Sequence, residues 1–250
     1  MTFRQLYVRE MKISKKIPQD GYLAALPAVR YLENNSLVFT QQVSFLVGEN
    51  GAGKSTLIEA LAVAMGFNPE GGTINFRFST ADSHSELHRY LTVVKGPTRR
   101  RDGFFLRAES FYNLASDIDR MDEGSSLGSR LADSYGGVSL HRRSHGESFL
   151  SLIKNRFGGN GLYILDEPES ALSPMGLMAL LCQIQRLVAA DSQLIIATHS
   201  PILMTFPGAE IFQLSNAGIQ SVPYQQTEHF RITRQFLNAP EKMLCQLLEE

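Results

Sequence analysis

The sequence predicts an α/β fold built on a mainly parallel central sheet, with an antiparallel N-terminal β part and a short helical insert. Three observations carry this prediction. An apolar run at residues 43–47 leads through a glycine-rich segment into a helix with one apolar face. A second apolar run, residues 162–165, ends directly at Asp166 and Glu167. From that point the chain alternates predicted strands with predicted helices, which is typical of parallel strands joined by helical crossovers.

The individual elements follow from the spacing of apolar residues. Short apolar or alternating runs predict strands, and apolar residues spaced by three and four predict helices. The strands are expected at 6–13, 36–40, 43–47, 104–108, 162–165 and 193–197, and near Ile211 and Ile219. The helices are expected at 55–65, 147–157, 174–190, 228–237 and 241–248.

The composition favours one folded domain over residues 1–250. The chain is 43% hydrophobic and 20% charged, near the globular average, which argues against a disordered or collagenous protein. Between about residues 67 and 145, frequent glycines interrupt the pattern, and we expect an inserted helical subdomain there that contains one strand, at 104–108.

Charge and targeting signals indicate a cytoplasmic protein. A formal net charge of -1 provides no overall basic field that would attract nucleic acid or an anionic membrane. The first residues lack the apolar centre of a signal peptide, and no run approaches the roughly 18 apolar residues of a membrane helix. Cys182 and Cys245 lie far apart, so we expect two buried thiols on helices and neither a disulfide nor a zinc site.

The glycine-rich segment matches G-x-x-x-x-G-K-[ST] between a predicted strand and a predicted helix. Its glycines allow backbone N–H groups to wrap phosphate oxygens, Lys54 would reach the β- and γ-phosphates, and Ser55 would bind Mg²⁺. The alternative is a glycine-rich turn with an incidental lysine and serine, which the complete match and its flanks do not favour. The residues expected to bind nucleotide are Gly48, Glu49, Asn50, Gly51, Ala52, Gly53, Lys54, Ser55 and Thr56.

The acidic pair lies where open α/β sheets place ligand chemistry, at the carboxyl end of a buried strand. We expect Asp166 to hold Mg²⁺ and Glu167 to polarise the water that attacks the γ-phosphorus. His199, at the end of the next strand, would contact the γ-phosphate. Taken alone, the acids could instead occupy a solvated turn and His199 a loop, but the phosphate loop upstream favours the catalytic interpretation.

Together these motifs resemble an ATP-binding cassette. The resemblance rests on the phosphate loop, on Leu-Asp-Glu-Pro at 165–168 and on Ala-Thr-His-Ser at 197–200. Ser144, Gly146 and Glu147 match part of the family's signature segment, although His145 replaces its first glycine and Arg143 its leucine. The resemblance implies ATP and Mg²⁺ as cofactors and a head-to-tail homodimer enclosing two ATP molecules, in which Ser144 and Gly146 contact the nucleotide of the opposite subunit. It also implies that Glu109 occupies the Q-loop position, for which a glutamate at the start of a helix is an equal alternative.

Two departures indicate the branch of this superfamily. Glu169 and Ser173 stand where transporter cassettes usually have Thr and Asp, a form similar to small stand-alone bacterial ATPases of the branch related to the RecF, SMC and OLD-type groups. The resemblance therefore implies an ATPase that acts on a protein or DNA partner, with a permease partner unlikely. Two alternatives stay open, a transporter cassette and an ATP-dependent clamp with little turnover.

Overall fold

The computed structural model describes residues 5–73, 85–111 and 145–248. None of the helices in these ranges has the length and apolar character needed to cross a membrane. The strands are β1 Val8–Ile13, β2 Ser36–Val38, β3 Val43–Gly48, β4 Leu91–Lys95, β5 Asp102–Arg107, β6 Gly161–Asp166, β7 Gln193–Ala197, β8 Glu210–Ser215 and β9 Gly218–Ser221. The helices are α1 Tyr22–Ala25, α2 Pro27–Asn34, α3 Lys54–Ala64, α4 His145–Arg156, α5 Pro174–Ala189, α6 Glu228–Asn238 and α7 Pro240–Leu248.

The central sheet has the strand order β5-β6-β7-β3-β8-β9. All neighbours are parallel except the terminal pair, β8 and β9, which are antiparallel. The α/β fold with a mainly parallel sheet is therefore confirmed. Ala197 of β7 pairs with Asp166 on one side and with Leu46 on the other, so β6, β7 and β3 end at one edge of the sheet.

A second sheet of order β2-β1-β4 is antiparallel and confirms the expected N-terminal β part. The sequence predicts one strand within 67–145, but the described part of that stretch contributes two, β4 to this sheet and β5 to the central sheet. The sequence analysis missed β4 although three of its five residues are apolar, because the run is short and its pairing with β1 joins residues distant in sequence. More than half of the expected helical insert, residues 74–84 and 112–144, lies outside the described residues, and its boundaries stay a prediction.

The core lies on both faces of the central sheet. On one face α3 packs between this sheet and the antiparallel sheet, with Leu57, Ile58 and Leu61 fully buried. On the other face α4 and α5 cover β5, β6 and β7. α1 and α2 were not predicted from the sequence, since both are too short to establish a helical period.

Cys182 and Cys245 lie on α5 and α7, as expected, but both are exposed, so the prediction of buried thiols is wrong. The buried stripe of α5 consists of Leu177, Leu180, Ile184 and Leu187. Position 182 lies on the side of the helix opposite this stripe and faces solvent.

One buried side chain ties the N-terminal segment to the central sheet. The Gln193 side chain, at the start of β7, accepts hydrogen bonds from the N–H groups of Tyr7 and Val8, both at 2.8 Å, and donates to the Val8 carbonyl at 2.9 Å. Gln193 is completely buried. Because Gln193 is buried, water cannot replace these hydrogen bonds, and the three main-chain groups depend on its side chain.

We expect Gln193→Leu to lower the free energy of unfolding by about 3 kcal/mol, since each buried polar group left unsatisfied costs about 1–3 kcal/mol. Urea unfolding followed by circular dichroism measures the change. Gln185→Leu on the exposed face of α5 is the matched control, with an expected change within about 0.5 kcal/mol. Equal stability of the two variants would show that Gln193 does not anchor β1.

Candidate functional site

The shared edge of β3, β6 and β7 brings the sequence motifs together. The phosphate loop follows β3, the acidic pair ends β6, and Thr198 and His199 follow β7. Between them lies an open cleft of about 630 Å³, lined by Glu49, Asn50, Glu167, Glu169, Ser170, His199 and His229. The parallel register therefore brings the phosphate loop, the acidic pair and His199 together at one edge of the sheet.

The phosphate loop has the glycines its conformation requires. A Cβ at Gly48 would overlap the carbonyl oxygen of Leu214 on the neighbouring strand. Gly53 has φ 95° and forms the N-cap of α3, a left-handed position that a side chain disfavours. The loop thus presents the amino end of α3 to the cleft, an arrangement suited to anions.

Lys54 is buried with its ammonium group inside the loop. Its Nζ donates to the carbonyl oxygens of Gly48 at 2.8 Å and Glu49 at 2.9 Å. Burial lowers the pKa of Lys54, and the carboxylates of Glu167, Asp166 and Glu169 oppose that shift. Among the described residues Lys54 forms no ion pair, so its charge is available to an anion in the cleft.

Asp166 forms the centre of a buried charged network. Its Oδ1 accepts from the Ser55 hydroxyl at 3.1 Å, and its Oδ2 accepts from Arg107 Nε at 3.0 Å. The same guanidinium reaches Glu59 on α3 at 3.0 Å. Burial raises the pKa of Asp166, whereas Arg107 and the Ser55 hydrogen bond oppose that rise. The two predicted magnesium ligands, Ser55 and Asp166, are therefore in direct contact.

Glu167 follows with a left-handed backbone, φ 49° and ψ 53°. Such a conformation is costly for a residue with a side chain and is concentrated at functional sites. The N–H of Glu167 donates to the carbonyl of Ala197 at 3.0 Å, which ties this turn to β7. The strained turn directs the residue into the cleft, where its carboxylate lies 3.6 Å from His199 Nε2.

Glu169 connects the acidic turn to the histidine. Its carboxylate accepts from the Thr198 hydroxyl at 2.8 Å and from the His199 backbone N–H. Burial raises the pKa of Glu169, and these hydrogen bonds oppose the shift. The residue that distinguishes this sequence from the usual transporter pattern therefore fixes the main chain at His199.

His199 contacts a residue that the sequence did not indicate. Its Nδ1 lies 2.9 Å from Nε2 of His229, near the start of α6. Its Nε2 is buried and has no hydrogen-bond partner among the described residues. Burial lowers the pKa of His199, and Lys54 lowers it further. Burial therefore favours the neutral imidazole of His199, in which Nδ1 contacts His229 and Nε2 has no partner among the described residues.

The signature segment is described only in part. Ser144 lies outside the described residues, whereas Gly146 and Glu147 lie in the first turn of α4. A Cβ at Gly146 would lie 3.0 Å from the Ala171 carbonyl, so this turn packs closely on the segment after Glu169. Glu109 is exposed just beyond the end of β5. The signature and Q-loop assignments stay predictions.

Sequence reasoning missed two residues of the site, Arg107 and His229. Arg107 is the last residue of β5 and pairs in register with Asp166, so correct alignment of the predicted strands 104–108 and 162–165 would have placed it. His229 offered no comparable signal, because its helix lies 30 residues beyond His199 and reaches the cleft through tertiary packing.

Two family models match the chain. Residues 26–106 match a model described as "AAA domain", and residues 138–205 match one described as "AAA domain, putative AbiEii toxin, Type IV TA system". The first range includes the phosphate loop, and the second includes the acidic pair and His199. Except for His229, the matched segments therefore contain the residues that line the cleft.

Curated proteins with similar sequences are named as ATP-binding proteins of transporters. An "Uncharacterized ABC transporter ATP-binding protein" of Haemophilus influenzae is 30% identical over 190 residues, covering 69% of this chain and 70% of that protein. A "Putative ribose/galactose/methyl galactoside import ATP-binding protein 1" of Rhizobium etli is 32% identical over 212 residues and 77% of this chain. The matched region spans only 38% of the Rhizobium etli protein.

Solved structures agree on the fold. CbiO1 from Clostridium perfringens, described as part of the ABC transporter complex cbiONQ, superimposes with a TM-score of 0.55. The match covers 98% of this chain and all of CbiO1 at 16% identity. A putative metal-chelate type ABC transporter in an inward-facing conformation gives a TM-score of 0.51 at 14% identity, covering 91% and 88% of the two chains. At such identities the likeness shows the fold alone.

We expect Arg107→Met to lower the free energy of unfolding by about 2–4 kcal/mol, because it leaves the carboxylates of Asp166 and Glu59 without their cation. In an Asp166→Asn background the same substitution should cost at least about 1 kcal/mol less, since Arg107 then faces a single carboxylate, that of Glu59. Urea unfolding of the four chains completes this double-mutant cycle.

The exposed ion pair between Arg89 and Glu86 provides the control. Arg89→Met should change the free energy of unfolding by about 1 kcal/mol at most. Additive costs for Arg107→Met and Asp166→Asn would contradict a network centred on Asp166.

Proposed function

Because the chain belongs to the family of ABC-type ATP-binding proteins, which are P-loop ATPases, we propose that it binds ATP in the cleft and hydrolyses the γ-phosphate. One observation carries this proposal. One edge of the sheet brings together four features: Lys54, the contact between Ser55 and Asp166, the strained Glu167 and the available His199 Nε2. These are the groups that phosphoryl transfer to water requires.

The phosphate loop would bind the β- and γ-phosphates. Its backbone N–H groups and the amino end of α3 provide donors, and phosphate oxygens would take the place of the Gly48 and Glu49 carbonyls as partners of Lys54. Because Lys54 has no ion pair among the described residues, binding does not require an internal ion pair to break. As the sequence predicts, we propose that residues Gly48 to Thr56 bind the nucleotide.

The oxygen donors at the site fit a magnesium ion. The Ser55 hydroxyl and the Asp166 carboxylate lie 3.1 Å apart, and hydroxyl and carboxylate oxygens are ligands that Mg²⁺ prefers in nucleotide sites. We propose that these two side chains hold the ion. When bound with ATP, Mg²⁺ supplies positive charge that stabilises the phosphate oxygens.

Glu167 and His199 would act on the reacting groups. Glu167 accepts a proton from a water molecule while the oxygen of that water attacks the γ-phosphorus. The bond from the γ-phosphorus to the oxygen of the leaving ADP then breaks. The Nε2–H of His199 donates to a γ-phosphate oxygen and stabilises charge that moves during transfer. Both groups are held by β7, Glu167 through the Ala197 carbonyl and His199 by chain continuity.

A second subunit would complete the site. We propose that Ser144, Gly146 and Glu147 contact the nucleotide bound to the opposite subunit of an ATP-dependent homodimer. The close packing of Gly146 on Ala171 links that segment to the turn that carries Glu167 and Glu169. This contact supports the proposal that the signature segment and the turn with Glu167 and Glu169 are positioned together.

The partner that this ATPase serves is a separate question. The expectation that a permease partner is unlikely finds no support among the curated relatives, since one is named for import and the other for an ABC transporter. We therefore propose that the chain is the ATP-binding subunit of a transporter assembly, ahead of a role on DNA or a soluble protein. The likeness to the RecF, SMC and OLD-type branch stays a prediction.

We expect Glu167→Gln to bind ATP with unchanged affinity while turnover falls by about 10² to 10⁴, because a group that acts on the attacking water contributes mainly to the transition state. The dimer containing ATP should then accumulate, seen as a doubled mass by light scattering with ATP and Mg²⁺. Steady-state phosphate release measures the turnover.

Two further variants serve as controls. Lys54→Ala should lose ATP binding, and Glu241→Gln, on the exposed α7, should behave like the unmodified chain. Unchanged turnover in Glu167→Gln would rule out its role as the base. Dimerisation of the unmodified chain without phosphate release would favour the clamp alternative.

We expect the tagged Glu167→Gln chain, expressed in its source cells, to co-purify from detergent-solubilised membranes with a protein of several membrane spans. ATP should strengthen this association, since the dimer with trapped ATP persists in this variant. Lys54→Ala is the control and should recover less of that protein. Recovery of DNA or a soluble protein alone, with an empty membrane fraction, would contradict a transporter assembly.

A further inference from the structure

The amino end of α6 is held firmly against the cleft. The buried Thr227 side chain caps the helix by accepting from the N–H of Phe230 at 3.3 Å, and its own hydroxyl donates to the Tyr224 carbonyl at 2.7 Å. The rings of Tyr224 and Phe230 also pack with centroids 4.6 Å apart. The rest of α6 is largely exposed, so the first turn is the part of this helix that the fold positions.

That first turn places His229 on His199. The two ring nitrogens, His199 Nδ1 and His229 Nε2, are 2.9 Å apart, and the rings meet at 62° with centroids 5.1 Å apart. This is a hydrogen-bond distance, so one nitrogen must donate and the other accept. His229 also lines the cleft beside Glu49 and Asn50 of the phosphate loop.

A metal ion does not explain the pair. Within residues 5–73, 85–111 and 145–248, no group of three or more His, Cys, Asp or Glu side chains is arranged to hold one. The pair is therefore a hydrogen bond between two imidazoles.

The surroundings of His199 determine the direction of this hydrogen bond. The other ring nitrogen, Nε2, faces the Glu167 carboxylate at 3.6 Å, too far for a hydrogen bond. A lone pair on Nε2 would point at this negative charge, whereas a proton there is attracted to it. The proton of a neutral His199 therefore belongs on Nε2, and Nδ1 accepts from His229 Nε2–H.

We propose that His229 is a positioning residue that holds His199 in the tautomer with a proton on Nε2, facing the γ-phosphate. This inference rests on the proposed function, since it assigns that proton to a phosphate oxygen. The His199 Nε2 atom is buried and lacks a hydrogen-bond partner among the described residues, as expected for a donor that awaits an acceptor. The first turn of α6 thereby becomes part of the proposed catalytic site.

Two substitutions separate the hydrogen bond from the volume of the ring. His229→Phe keeps a ring of similar size but has no donor. His229→Gln retains an amide N–H that can donate to His199 Nδ1. Arg231→Ala, on the exposed face of the same helix, is the matched control.

The first readout requires no nucleotide. Nitrogen-15 NMR of histidine-labelled chains distinguishes the two tautomers, and the signal of His199 is identified by its loss in His199→Gln. We expect a protonated Nε2 and an unprotonated Nδ1 at His199 in the unmodified chain, Arg231→Ala and His229→Gln. His229→Phe should show a mixture of tautomers. An unchanged His199 signal in His229→Phe would overturn the proposal.

The second readout is ATP turnover. We expect kcat to fall by roughly 10- to 100-fold in His229→Phe, the range typical of residues that orient a functional histidine, while the Kd for ATP changes less than about twofold. His229→Gln should recover most of the rate. A loss of ATP affinity equal to the loss of kcat, or no recovery with Gln, would indicate a structural role only.

These readouts distinguish the two proposals. If the unmodified chain has no ATPase activity, the proposed function fails, and the NMR measurement still decides whether His229 sets the tautomer of His199. If the unmodified chain hydrolyses ATP and His229→Phe does so at the same rate, the positioning role alone is wrong.

Discussion

Asp166 is 3% exposed and ends a strand whose residues are all buried, a position where a carboxylate ionises only with nearby compensation. Arg107 and the Ser55 hydroxyl provide that compensation from β5 and α3. The guanidinium also neutralises Glu59, which joins α3 to the same network. The sheet edge, the phosphate loop and α3 are thus held around one negative charge, and that charge is also the proposed magnesium ligand.

A second set of contacts starts one residue later. The left-handed turn at Glu167 is stabilised by β7, and Glu169 then returns to β7 to hold Thr198 and the backbone of His199. His229 contacts the other side of the histidine ring. His199 is therefore restrained at its backbone and at its ring, so it is ordered before any phosphate arrives. Such ordering reduces the reorganisation that the reaction would otherwise require.

Residues close together in the sequence could be placed without the structure. The loop from Gly48 to Ser55 could be identified from its sequence alone. Glycine, lysine and serine at this spacing, between a strand and a helix, are typical of a phosphate-binding loop. Asp166 and Glu167 were located by the apolar run before them. Glu169 differs from the usual transporter pattern, yet its role could not be predicted, because its partners lie 29 and 30 residues away, just beyond the end of β7.

By itself, the sequence determined the α/β fold, the phosphate loop, the acidic pair and the strand that leads to His199, because these depend on local periodicity and on short motifs. Only the tertiary structure decided the pairing of β4 with β1, the ion pairs of Arg107 and the contact of His229 with His199. Each of these joins distant segments through the register of strands or the packing of a helix. Such contacts depend on the three-dimensional path of the whole chain, so a pattern within a short stretch of sequence does not predict them.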